Sequence, residues 1–148
     1  MNKVLIASLL SLSAFAVHAA DMPTVSELAT GKTTAAAFKE MVGKTTLPQW
    51  VVKGGVDSQG QNVTIDGVTY QLQTACKPHD CGAEKIAVLY SPKMQKMAGV
   101  LATSNESENK QTLQWLNISD ELSIDGKTAL FAALTGSADN HPGMFNFK

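Results

Sequence analysis

Through the middle of the chain, apolar and polar positions alternate with a period of two, and that alternation predicts β-strands. Val63 and Ile65 stand between polar neighbours in Gln61 to Ile65, and Val68, Tyr70 and Leu72 do the same in Val68 to Gln73. Asp66-Gly67 lies between the two runs, the residue pair that favours a tight hairpin. Ile86, Val88 and Tyr90 repeat the pattern in Lys85 to Tyr90, and Ser91-Pro92-Lys93 turns the chain towards a strand over Gly99 to Thr103. The polar run Ser104 to Asn109 reads as a loop tip. Gln111 to Leu116 follows as the last strand, with Leu113 and Trp115 on one face. Trp50-Val51-Val52, just after Pro48, reads as a short first strand. Alternation of this kind predicts strands with one buried face and one wet face.

The flanks carry helical signals. Thr24-Val25-Ser26-Glu27 has capping-box spacing, and Gly31 can end the turn after Leu28-Ala29-Thr30. Thr33 or Thr34 can cap a second helix over Ala35 to Val42, whose Ala36, Phe38 and Met41 or Val42 supply apolar contacts, with Gly43 as its stop. Ser119-Asp120-Glu121 suggests a capped turn and Asp125-Gly126 a bend. Thr128 to Leu134 has helical composition with Gly136 as its stop, and the tail from Ser137 is mostly loop, with Phe145 and Phe147 able to dock on the core. The sum is an α+β domain: an antiparallel sheet of about five strands, within the usual range, with short helices packed on one face. No repeat or linker divides it.

The N-terminus sets the compartment. Met1-Asn2-Lys3 is a short positive start, Val4 to Val17 is apolar or small almost throughout, and Val17-His18-Ala19 fits a small-x-Ala cleavage site. This three-part pattern predicts a secretory signal peptide over residues 1–19, a single mature domain over 20–148, and a periplasmic location. The run is broken by Ser8, Ser11 and Ser13 and falls short of the roughly 20 apolar residues a membrane anchor needs. No other segment is apolar enough to span a bilayer, so the mature protein is expected off the membrane. Net charge is −1, and every basic residue other than histidine is lysine. Phosphate and nucleic-acid recognition relies on arginine forks and a basic face, so nucleic acid is not an expected partner.

Catalytic motifs are absent from the mature chain. His79 and His141 are its histidines, and neither a G-x-S-x-G elbow nor an H-E-x-x-H pair occurs. Gly31-Lys32-Thr33 and Gly126-Lys127-Thr128 resemble the end of a phosphate-binding loop but lack its earlier glycine, since Ser26 and Glu121 stand there. The chain is therefore not expected to be an enzyme or to carry a cofactor or metal. The remaining feature is Cys76-Lys77-Pro78-His79-Asp80-Cys81, which contains the chain's two cysteines. In an oxidising compartment so close a pair reads as a disulfide. The ring is too small to be a strong global staple, and stiffening a protruding loop is its better use.

Several readings of the hexapeptide compete. It can be a stapled surface turn with Lys77, His79 and Asp80 polar because they are exposed. Thiol redox motifs space their cysteines more closely, and zinc held by Cys76, His79, Asp80 and Cys81 would be badly strained. The functional reading is a rigid probe. Pro78 fixes its own φ and restricts Lys77, and the bridge pins both ends. A loop stiffened beforehand loses little entropy on entering a cleft. His79 at the tip is suited to a pair of carboxylates.

The chain resembles the inhibitor of vertebrate lysozyme (Ivy) family of periplasmic bacterial proteins. The residues that carry the likeness are Leu47-Pro48-x-Trp50-Val51-x-Lys53-Gly54-Gly55, Cys76-Lys77-Pro78-His79-Asp80-Cys81-Gly82, Trp115-Leu116-Asn117 and Leu122-Ser123-Ile124-Asp125-Gly126-Lys127-Thr128. Leu130 to Ser137 and the ending Asn140-His141-Pro142-x-x-Phe145-Asn146-Phe147-Lys148 fit as well, so the likeness spans nearly all of the mature chain. The resemblance implies an inhibitor of C-type lysozyme whose loop Cys76–Cys81 enters the enzyme's cleft, with His79 meeting both catalytic acids. It implies a host lysozyme as partner, leaves endogenous lytic enzymes as further candidates, and admits a homodimer. Asp80 can face cations around the cleft or cap a turn within the loop, while Lys77 is expected to stay solvated. The competing function is an envelope-binding module for peptidoglycan or endogenous lytic enzymes, drawing on Trp50, Tyr70 and Trp115, whose alternative role is core packing.

Overall fold

A computed structural model describes residues 22–148, so the leader expected over residues 1–19 lies outside the described residues. Three short helices come first: α1 (Val25–Thr30), α2 (Ala35–Val42) and α3 (Gln49–Lys53). Strands β1 (Val56–Asp57), β2 (Gln61–Ile65), β3 (Val68–Cys76), β4 (Glu84–Ser91), β5 (Lys96–Asn105) and β6 (Lys110–Leu116) follow, then α4 (Asp125–Leu134) and α5 (Ser137–Asn140). The class is α+β, as the alternation predicts. Among the described residues no helix is long and apolar enough to cross a membrane.

All strand pairings are antiparallel, in the order β1-β3-β4-β5-β6, with β2 also on β3. The hairpin forms as expected: Ile65 faces Val68, and Asp66 and Gly67 both take positive φ (48° and 73°), the signature of the turn whose twist suits a two-residue hairpin. β3 runs three residues past its expected end and delivers Cys76 directly opposite Lys85. The polar loop tip shrinks to a single 3-10 turn, Glu106–Glu108, because β5 and β6 pair out to Asn105↔Lys110.

The sheet has six strands, and the single packed face expected from sequence gives way to two. On one side Ile86, Val88, Tyr90, Met97 and Leu101 pack against Val25, Leu28, Phe38, Met41 and Val51 of α1–α3. On the other, Leu72, Ala87, Leu89, Ala98 and Val100 pack against Ala129, Leu130 and Ala133 of α4. The physical reason is visible in β4, where Ile86-Ala87-Val88-Leu89 is a continuous apolar run with no exposure on either face. A strand covered on both sides loses its alternation, and each large aliphatic buried here contributes about 2 kcal/mol.

Two local expectations are corrected. Trp50-Val51-Val52 is the middle of helix α3, with Pro48 at its N-cap and Gly54 (φ 119°) ending it. β-branched residues favour a strand locally, but packing of Val51 under the sheet overrides the preference. Asp125-Gly126 is the first turn of α4 rather than a bend. Gly126 is buried, and a Cβ there would meet Leu122 Cβ at 2.6 Å, so the helix start depends on a missing side chain. The capping box on α1 is present in both directions, with Thr24 Oγ1 accepting from the Glu27 N–H and Glu27 Oε2 from the Thr24 N–H. Phe145 and Phe147 dock on the α4-side core, and Phe147 bridges to Ile65.

Candidate functional site

The connection from β3 to β4 is built from backbone turns before any side chain acts. Past the last ladder pair, the Lys77 N–H donates to the Glu84 carbonyl at 3.0 Å. The Asp80 N–H donates to the Lys77 carbonyl at 3.0 Å, closing a turn with Pro78 second and His79 third. His79 has φ 63°, so this is a type II turn: proline suits the second position, and the third requires positive φ. A second turn follows, with the Ala83 N–H on the Asp80 carbonyl at 3.1 Å, and the Ala83 carbonyl accepts from Ser104 of β5 at 2.7 Å. Left-handed backbone costs a residue with a side chain about 1 kcal/mol or more. It persists where the surroundings over-determine it, and the Cys76–Cys81 disulfide closes the ring around His79.

Side chains brace the base of that ring. Glu84, the first residue of β4, accepts from the Trp50 indole N–H with Oε2 at 2.7 Å and from the Lys77 ammonium with Oε1 at 3.1 Å. Lys77 also reaches Asp80 Oδ2 at 3.3 Å. A chain of contacts therefore runs from α3 through Glu84 and Lys77 to Asp80. The hydrogen bond to Glu84, then that to Asp80, then the Glu84 charge hold the Lys77 pKa above the ordinary lysine value. Gly55 lets α3 approach so closely, since a Cβ there would sit 2.9 Å from the Cys76 carbonyl and 3.0 Å from the Trp50 ring.

The structure brings all six hexapeptide residues into one ring, but their roles divide. Cys76, Cys81, Pro78 and Lys77 form and brace it and are partly covered, whereas His79 and Asp80 are exposed. Lys77 keeps 39% of its side chain exposed, as expected, and adds two ion pairs that the sequence did not reveal. Asp80 spends its carboxylate on Lys77 and its carbonyl on the second turn. No side chain among the described residues holds the His79 imidazole. Sequence reasoning missed Glu84 and the bracing role of Trp50. These partners are 34 residues apart, and nothing local in the sequence links them. Of the aromatics considered for envelope binding, Trp50 is committed to the loop base and Tyr70 is buried. Trp115 remains half-buried with the Lys127 ammonium 5.3 Å from its ring centre. Among the described residues no group of three or more His, Cys, Asp or Glu is placed to hold a metal ion.

A family model described as inhibitor of vertebrate lysozyme (Ivy) matches residues 33–133. The protein named "Inhibitor of vertebrate lysozyme" from Escherichia coli (strain K12) is 55% identical over 130 residues, covering 88% of this chain and 83% of that one. An uncharacterized protein of Yersinia pestis is 30% identical over 111 residues, 69% of this chain and 72% of its own. A Pseudomonas aeruginosa protein, also named "Inhibitor of vertebrate lysozyme", is 35% identical over 49 residues, 32% of each chain.

Proposed function

Because this chain belongs to the inhibitor of vertebrate lysozyme (Ivy) family, we propose that it inhibits C-type lysozyme by seating the Cys76–Cys81 loop in the enzyme's active-site cleft. His79 is the residue that meets the catalytic acids. The observation that carries this reading is an exposed imidazole at the apex of a closed ring, braced from below and unengaged by the rest of the described chain. Lysozyme works with one protonated carboxyl and one carboxylate. An imidazole set between them can hydrogen-bond to both, and its cationic form is favoured by the adjacent negative charge. The ring is ordered before the encounter, so little conformational entropy is lost on binding. Asp80 is tied to Lys77 and serves the loop's shape, leaving His79 as the tip's recognition group.

The protein acts in the periplasm, exported by residues 1–19 and working as the single domain 20–148, in keeping with the apolar run and the small residues ahead of Ala20. A purified envelope form whose mass begins at Ala20 is the expected result, and a form retaining Met1 would refute export by cleavage.

The decisive experiment follows clearing of a cell-wall suspension by a C-type lysozyme with wild-type protein or His79→Ala. Loss of a central polar anchor costs about 2 kcal/mol, so inhibition should weaken roughly thirtyfold while the thermal midpoint stays put. A variant that inhibits as well as wild type removes His79 from the mechanism.

A further inference from the structure

At the end of the sheet away from the disulfide loop, a cavity of about 370 Å³ opens beneath the β2–β3 hairpin and the β4–β5 turn. Its size falls in the range of small-molecule sites. Its floor is apolar: Met97 and Leu122 line it and are almost fully buried. Its mouth carries the exposed carboxylates of Glu40, Asp66 and Glu121 against the one ammonium of Lys96. Tyr70 also lines the cavity. It is only 6% exposed, and its hydroxyl has no hydrogen-bond partner among the described residues. The ring is thus covered while the hydroxyl oxygen opens onto the cavity with no protein partner, which leaves it available to a ligand atom.

We propose that this cavity binds a small organic monoamine, its ammonium between the mouth carboxylates and the Tyr70 oxygen and its apolar body on the Met97–Leu122 floor. Three features select that class. Excess negative charge among the lining residues concentrates cations. The same acids are not grouped to hold a metal ion, so the cation they suit is a diffuse organic one. The apolar floor disfavours a wholly polar polyamine, whose second charge would be stripped of water there. Burial, then the charges of Glu121 and Asp66, push the Tyr70 pKa up, which places both carboxylates within electrostatic reach of the phenol and keeps it neutral. A neutral phenol oxygen can accept from an ammonium. The site is far from the disulfide loop along the strands and rests on no part of the lysozyme reading.

The test is an amide NMR titration of the protein with phenethylamine, alongside the uncharged phenethyl alcohol. The expected result is saturable shifts at Asp66, Tyr70, Met97 and Leu122, with the alcohol binding at least about tenfold more weakly, as loss of a charged hydrogen bond implies. Glu121→Gln and Tyr70→Phe, each of which keeps the side chain's shape, should each weaken the amine severalfold and leave the alcohol unchanged. Absence of saturation up to roughly 10 mM, well above a millimolar dissociation constant, overturns the proposal. Equal binding of amine and alcohol, shifts centred elsewhere, or variants that bind the amine like wild type would overturn it too.

Discussion

Strand β4 and the connection 77–83 that feeds it are neighbours in sequence held by opposite means. From Ile86 to Leu89 the strand has no exposure at all, paired on both edges and covered on both faces. No residue of the connection is buried. Its order comes from two successive turns, a disulfide and the chain Trp50–Glu84–Lys77–Asp80. Packing fixes a segment by removing its side chains from reach. Covalent closure and polar bracing fix one while leaving its tip available, which is the kind of order that the proposed entry of His79 into a cleft requires.

The sharpest way to separate the two regions is to damage each and read both stability and inhibition. Leu89→Ala opens a cavity against α4 and should cost 2–5 kcal/mol, about 3 on average, in urea denaturation. Inhibition per folded molecule should be unchanged, and a loss beyond the unfolded fraction would show that core and loop are not separable. Replacing Cys76 and Cys81 together by Ser opens a small ring, for which chain entropy predicts about 2 kcal/mol. Here inhibition should fall further than stability does, because His79 regains freedom it must lose again on binding. Unchanged lysozyme affinity in the double Ser protein would mean that the ring's closure contributes nothing to recognition.

The same contrast explains what sequence could convey. The Asp66-Gly67 hairpin, the capping box at Thr24 and the helix over Ala35–Val42 are written in residues a few positions apart, and all three form. The disulfide was legible from spacing and compartment, and it is present. What failed was non-local. Trp50-Val51-Val52 has strand propensity, and only the surface it packs on makes it a helix. The second helical layer was missed because Ala87 and Leu89 look like gaps in an alternation until α4 is known to cover them. The pairing of Lys77 with Glu84 is not legible in sequence because Glu84 becomes a neighbour only when the chain reverses.

Smaller perturbations test the bracing. Trp50→Phe keeps an aromatic side chain but deletes the N–H that Glu84 accepts at 2.7 Å, together with part of the indole's packing. A hydrogen bond to a charged group in a partly exposed setting is worth about 1 kcal/mol after solvent competition. The expected outcome is at least that much lost stability, with faster amide exchange at Asp80 and Ala83, whose N–H groups close the two turns. Exchange unchanged at both positions would show that the α3 contact does not reach the loop.

Lys77 should give the smallest effect, and its pH dependence has a definite sign. Its ammonium lies 3.1 Å from Glu84 and 3.3 Å from Asp80 with 39% of the side chain exposed, and these contacts raise its pKa above 10.5. A cation with a raised folded pKa contributes its full stabilisation below the ordinary lysine value and loses it as pH climbs through the higher folded value. The thermal midpoints of wild type and Lys77→Gln should therefore differ by a small amount that stays constant through neutral pH and shrinks only above about 10.4, the ordinary lysine pKa. Salt should shrink it as well, because exposed pairs are screened. A difference that already vanished between about pH 6 and pH 8, where a lysine does not titrate, would assign the bracing to another group and leave Asp80 free to face a partner.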